Sequence, residues 1–204
     1  MAVRRSVEQV DTRSAILDIA ERLVQSRGFN GFSYADVAAE LGITKAALHY
    51  HFPGKAELGE ALIARYALRF GEALAAIDAE GGSALARLQA YADLYLGVLR
   101  DERMCLCGML AAEYQTLSDP MRQTVVRFFD DNHAWLVRVL QAGRTEGTLV
   151  FSGTPEEAAP MIVGTLEGAM LVARPYGDAA RFETVAARLI AEFTNAHKGS
   201  RQRQ

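Results

Sequence analysis

The sequence predicts an all-helical protein of about nine helices, three short ones in front and longer ones behind. Three observations carry this. Ala, Leu, Glu and Arg dominate a chain of 204 residues with only five prolines, a composition that favours helix. Apolar residues recur three and four positions apart, the spacing of one helical face. Ser, Thr and Asp starts and Gly stops punctuate those stripes. No segment shows the strict alternation of a strand.

The first helix is predicted from about Asp11 to Arg27, where Ile16, Ala20, Leu23 and Val24 share a face and Gly28 ends it. Ser33 is a candidate N-cap for a short second helix, Tyr34 to Leu41, stopped by Gly42. Thr44 caps a third, Lys45 to His51, which Pro53-Gly54 breaks. Three short helices in about forty residues, with a Gly in the tight turn between the last two, form the helix-turn-helix arrangement.

From Lys55 the helices lengthen. Leu58, Leu62, Tyr66, Phe70, Leu74 and Ile77 mark a linking helix to about Ala79, and Gly81-Gly82 ends it. Ser83 opens another that runs to about Glu102. A shorter segment from Cys105 to Thr116 follows. Ser118-Asp119-Pro120 is a start signal for a long helix to about Glu146. Thr154-Pro155-Glu156-Glu157 is a capping box with Pro at the first helical position, opening a helix to Arg174 that Pro160 should bend modestly. A last helix spans Asp178 to about His197. The expected domains are residues 9–55, continuing into the linking helix to about 79, and residues 80–198.

Half the chain is apolar, enough for a sizeable core. Two arginines open the chain with no apolar run behind them, and Met161 to Ala173 is interrupted by Glu167. Neither a signal peptide nor a spanning helix is expected, which points to a cytoplasmic protein. A formal charge of −3 argues against coating nucleic acid over the whole surface. The distribution is uneven, however. Residues 1–55 hold seven Lys/Arg against six Asp/Glu, the remainder fifteen against nineteen. The front cations include Arg4, Arg5, Lys45 and Lys55.

In a helix-turn-helix the recognition helix presents its first turn to base edges while the preceding helix and flanking amides grip phosphates. T-K-A-A-L-H-Y-H-F divides accordingly. Val37, Leu41, Ile43, Leu48 and Phe52 are expected to pack, leaving Thr44, Lys45, Ala46, His49 and Tyr50 outward. Lys45 suits guanine acceptors or phosphate, Ala46 permits close approach or meets a thymine methyl, and Thr44 and Tyr50 offer hydroxyls. Ser33 and Tyr34 stand at a helix N-terminus, whose unpaired amides favour a phosphate oxygen. Lys55 opens the next helix and adds a cation. Helix-Gly-helix corners also occur in proteins that never touch DNA, and His49, Tyr50 and His51 read equally as a local aromatic cluster.

Residues 11–58 as a whole resemble the N-terminal domain of the tetracycline-repressor-like (TetR) family. The matching features are A-x-x-L in the first helix, G-F followed by S-Y-x-D-V-A, then L-G-I-T-K-A-A-L and Y-H-F-P-G-K-x-x-L. The resemblance implies a homodimeric transcriptional regulator with a C-terminal helical ligand-binding and dimerisation domain, placing two recognition helices in successive major grooves of a palindromic operator. Repression is the family default. It also implies that Thr44, Lys45, Ala46, Tyr50 and Lys55 are contact positions. His49 departs from the family, which usually has a phosphate-touching Tyr there, so that contact falls to His49 or passes to Tyr50. Arg4 and Arg5 are either an arm in the minor groove or a disordered tail.

Beyond about Ala79 the chain matches the family only in layout. M-C-L-C-G-M-L-A-A-E-Y resembles a Cys-containing stretch that lies beside the cavity in one branch of the family. Tyr91, Tyr95, Met104, Cys105, Met109, Tyr114, Phe128, Trp135 and Met170 are candidate lining residues for a small, largely apolar effector, with His133 and Glu167 as polar handles. Each also reads as an ordinary core position. Cys105 and Cys107 point about 200° apart on a helix and cannot share a metal or a disulfide there. They read as buried and inert, with redox or electrophile sensing by Cys105 as the alternative. In the last two helices Gly164, Gly168, Ala169 and Ala173 permit close approach beside Ile162, Leu166 and Leu171. The resemblance implies that these helices pair across a two-fold axis, and Leu189 and Phe193 are counted with that interface.

An enzyme is disfavoured, because neither Cys105 with His133 nor the Asp130-Asp131 pair forms a nucleophile-base arrangement. A helical interaction module without DNA binding is disfavoured by the small, basic and hydroxylated recognition face. No cofactor, metal or catalytic residue is expected.

Overall fold

The computed structural model describes the backbone from Ala2 to Thr194 and side chains from Thr12 to Thr194. Arg4 and Arg5, as side chains, and residues 195–204 lie outside the described residues. Among those described there is no strand, and nine α-helices follow one another. They are α1 (Ala2–Arg27), α2 (Tyr34–Leu41), α3 (Lys45–His51), α4 (Lys55–Glu80), α5 (Ala84–Arg100), α6 (Leu106–Ala112), α7 (Asp119–Glu146), α8 (Pro155–Ala173) and α9 (Ala179–Glu192). Single 3₁₀ turns sit at Tyr114–Thr116 and Arg174–Tyr176. The helix ends follow the chemistry of their caps. Gly28 takes φ +85°, a left-handed backbone that stops α1. The amide and hydroxyl of Ser33 both donate to the Asp36 carboxylate at the start of α2, at 2.7 and 2.6 Å. Thr44 Oγ1 accepts from the Ala47 amide at 3.1 Å, and Thr154 with Glu157 closes a reciprocal capping box on α8. The first helix starts earlier and the last ends sooner than their apolar stripes indicate.

The chain forms two compact units, and neither is contiguous in sequence. The first comprises Met1–Arg69 with Cys105–Phe128, the second Phe70–Met104 with Phe129–Gln204. In the first unit Ile16, Leu23, Val37, Leu48, Phe52, Leu58, Leu62 and Ile63 are buried. Each such side chain contributes about 1.5–3 kcal/mol relative to exposure. A charged cluster ties α1 to α4: the buried Glu21 carboxylate accepts from Arg65 at 2.9 Å and from Arg69, and Arg65 also reaches Asp18 at 2.7 Å. Pairing of this kind is what a buried carboxylate requires.

In the second unit α8 packs on α5 and α9. The buried side chains of α8 are Pro155, Ala158, Ala159, Ile162, Val163, Leu166, Ala169, Met170 and Ala173. The opposite face carries Met161, Gly164, Gly168, Leu171 and Val172, all exposed. This divides the residues expected to pair two protomers. Ile162, Leu166, Ala169, Leu189 and Phe193 are buried within their own unit, because they continue the inward stripe of α8 and α9. Gly164, Gly168 and Leu171 share the other stripe and remain outward. A Cβ added at Gly164 or Gly168 would meet nothing within 4 Å, so packing within the protomer does not account for either glycine.

Candidate nucleic-acid interface

Gly42 makes the corner between α2 and α3 with φ +69°, and Ile43 donates its amide to Ala38 at 3.0 Å. A residue with a Cβ is strained in this backbone conformation. The corner presents one side of α3. Leu48 is fully buried and anchors the helix, while Thr44, Lys45, Ala46, His49 and Tyr50 are exposed. Tyr50 keeps 72% of its surface, the largest such value among the exposed large apolar residues. A small residue between a cation and hydroxyls, on a helix with an inward anchor, is what base edges and phosphates can meet.

Other predicted contact residues are drawn into the structure. The Tyr34 hydroxyl is shared between the carbonyls of Phe52 at 3.0 Å and Gly54 at 2.5 Å. Burial, with the Glu57 charge adding to it, pushes its pKa up to about 12. His49 packs its ring 4.8 Å from that of Tyr34 and donates Nδ1–H to the Pro53 carbonyl at 3.0 Å. Three successive carbonyls of the turn before α4 are thereby held by side chains from α2 and α3. Only the far edge of His49 is left to face a phosphate.

Lys55 does not occupy the outward place that its position suggests. Its ammonium donates to the Phe32 carbonyl at 2.5 Å and lies 4.3 and 4.8 Å from the Phe32 and Phe29 ring centres. Burial lowers its pKa, opposed by the charges of Glu113 and Asp36. The sequence shows a Lys at a helix start; the carbonyl and two rings that capture it become neighbours only on folding.

Two positioning residues have no local signal. Arg13 donates to the His51 carbonyl at 3.2 Å and sits 4.3 Å over the Phe52 ring, fastening the end of α3 to α1. Glu113, 84 positions beyond Phe29, accepts from the Phe29 amide at 2.5 Å.

The predicted effector residues are divided between the units. Tyr91, Tyr95, Met104, Trp135 and Met170 are buried in the second, where His133 and Glu167 are half-buried. Cys105, Met109, Tyr114 and Phe128 belong to the first. In the second unit Tyr91 stacks on Trp135 at 5.5 Å and its hydroxyl donates to Asn132 at 2.9 Å, with Tyr95 Oη 3.0 Å away. Trp135 Nε1 donates to Asp78 at 3.0 Å. This is a closed aromatic-polar cluster. Two clefts of that unit lie elsewhere. One of about 470 Å³ is lined by Val150, Phe151, Met161 and Phe193, and another of about 670 Å³ by Leu99, Arg100, Arg174 and Tyr176. In the first unit Tyr114 is exposed, 5.4 Å beneath the Arg122 guanidinium. Cys105 precedes α6 and Cys107 lies within it, both buried, with Tyr66 Oη 3.6 Å from Cys105 Sγ. Among the described residues no cluster of His, Cys, Asp and Glu could hold a metal, and no helix is long and apolar enough to cross a membrane.

Known proteins share this arrangement. The family of bacterial regulatory proteins of the tetR type matches residues 16–62, and the tetracyclin repressor-like C-terminal domain matches residues 84–189. The HTH-type transcriptional repressor NemR of Escherichia coli (strain K12) is 27% identical over 168 residues, covering 80% of this chain and 84% of NemR. The crystal structure of a TetR-family transcriptional regulator from Agrobacterium tumefaciens is 32% identical, with a TM-score of 0.88, and covers 92% of this chain and 100% of that one. A TetR regulator from Legionella pneumophila is likewise 32% identical, with a TM-score of 0.79, over 88% of this chain and 95% of its own. With both domain models matched in order and a helix-turn-helix corner at Gly42, the chain belongs to the TetR family of bacterial transcriptional regulators.

Proposed function

We propose that this protein is a repressor that holds a palindromic operator as a homodimer and releases it when a small, largely apolar molecule binds the second unit. The observation that carries the reading is the exposed face of α3, where Lys45, Ala46 and Tyr50 project together while Leu48 anchors the helix from behind. Thr44 flanks that face as a hydroxyl donor and His49 adds one ring edge, whereas the amide and hydroxyl of Ser33 are spent on the Asp36 carboxylate. NemR, by its name, is a repressor, which supports repression here. The protein acts in the cytoplasm, without catalysis.

The homodimer uses the outward stripe of α8 and α9, with Met161, Gly164, Gly168, Leu171, Val172 and Val185. Leu171 and Val172 are 61% and 63% exposed, apolar side chains that a partner can cover, and the two glycines let a partner helix approach closely. The effector binds in the second unit by opening the buried Tyr91–Trp135 cluster, trading its internal stacking and its Tyr91–Asn132 hydrogen bond for its own. Release is a shift of population. Helix α4 begins in the first unit and ends in the second, so a change in its tilt moves the two reading helices away from the roughly 34–36 Å that one turn of DNA demands.

The test is selection of DNA from a random pool by the full-length protein. A two-fold symmetric consensus is expected, with affinity falling steeply as salt rises. A Lys45→Ala, Tyr50→Ala double variant that binds this consensus as tightly as the wild type would sink the assignment.

A further inference from the structure

The connection between α1 and α2 is held from two distant places in the sequence. Gly28 turns it with φ +85°, and the next two amides, of Phe29 and Asn30, both donate to the Glu113 carboxylate, at 2.5 and 3.2 Å. The Asn30 side chain adds a bond to Thr116 Oγ1 at 2.7 Å. At the other end of the same turn the Phe32 carbonyl accepts the Lys55 ammonium. The approach is close: a Cβ at Gly28 would come 2.8 Å from Glu113 Oε1, and a Cβ at Gly59 would come 2.5 Å from Met121 Cε. Glu113 is the residue that ends α6, and all these groups lie in the first unit.

We infer that Glu113 is a positioning residue for DNA reading, its carboxylate holding the turn on which α2 and α3 are built; this rests on the operator-binding reading above. Two backbone amides on one carboxylate form a charge-assisted clamp whose strength falls off within an ångström of displacement. The clamp fixes the exit of α1, and hence the place of α2 and of the α3 corner built on it. Loss of the carboxylate therefore loosens the reading helix without touching it. Within the turn, Phe29 and Phe32 are engaged in the core and under Lys55, so its tie to Glu113 runs through the backbone amides, with the Asn30 side chain adding the bond to Thr116.

The experiment compares full-length wild type, Glu113→Ala and Glu113→Gln on the DNA consensus selected by the wild type, at a temperature where thermal melts show each folded. Glu113→Ala should weaken binding about tenfold, equivalent to about 1.4 kcal/mol. Glu113→Gln keeps an acceptor oxygen without the charge and should fall between. Hydrogen exchange should quicken at Phe29 and Asn30 and across α3, with α7 unchanged. Equal affinity of all three proteins, or weakened binding with unaltered exchange at Phe29 and Asn30, overturns the inference. Loss of the whole first unit in both variants overturns it as well, because the role would then be purely structural. A wild type that selects no DNA overturns the operator reading itself, an outcome distinct from a wild type that binds and a Glu113→Ala variant that binds equally.

Discussion

Two lysines show how the same residue type takes opposite roles. Lys45 stands exposed on α3, whereas Lys55 is committed to the Phe32 carbonyl and two aromatic rings. Lys45→Ala should lower operator affinity and reduce the slope of log affinity against log salt by about one counterion, with the melting temperature unchanged. Lys55→Ala should lower the melting temperature and leave that slope alone. Fluorescence anisotropy across a salt series, with thermal melts alongside, separates them. Tyr34 supplies a pH test. Its folded pKa of about 12 lies above the ordinary 10.0, so the unfolded chain loses the proton first. The resulting stability is fully present below pH 10 and is lost as pH rises through 12. Lys55 works the other way, since its lowered pKa makes stability rise with pH in the window beneath its usual value. Tyr34→Phe isolates the first contribution. Between about pH 9 and 11 its urea midpoint should fall less than that of the wild type.

Helix α8 is the element where pattern and packing diverge. Small and apolar residues cover both of its faces, and periodicity alone does not say which face a neighbour covers. The structure gives Ile162, Leu166 and Ala169 to the protomer's own core and leaves Gly164, Gly168 and Leu171 outward. Leu171→Glu should therefore yield monomers in sedimentation equilibrium with helix content retained, because the side chain is mostly exposed in the protomer. Leu166→Ala should instead destabilise the fold by about 2–5 kcal/mol, the range for a truncated buried leucine. An unchanged dimer in the Leu171→Glu variant would count against the outward stripe.

At the scale of the molecule, the first unit is completed by a segment from the middle of the chain. Residues 105–128 supply Glu113 and Met121 to it. A fragment ending at residue 69 should thus melt at a lower temperature and less cooperatively than the first unit of the intact protein, as followed by circular dichroism and hydrogen exchange. Melting equal to that of the intact chain would show that α6 and the start of α7 are dispensable for it.

The sequence by itself determined the helices, their caps and which side of α3 stays exposed. Ser33, Gly42, Thr44 and the Thr154 box act within one turn of the chain, and the inward Leu48 with the outward Lys45 and Tyr50 follow from helical spacing. Tertiary structure decided what depends on neighbours far apart in sequence. It turned Lys55 inward, fastened Arg13 to His51, brought Glu113 to the Phe29 amide and chose the covered face of α8. A cap or a stripe is a local matter of hydrogen bonds and period. A captured cation or a carboxylate on a distant turn depends on desolvation and on partners that only the folded chain brings together.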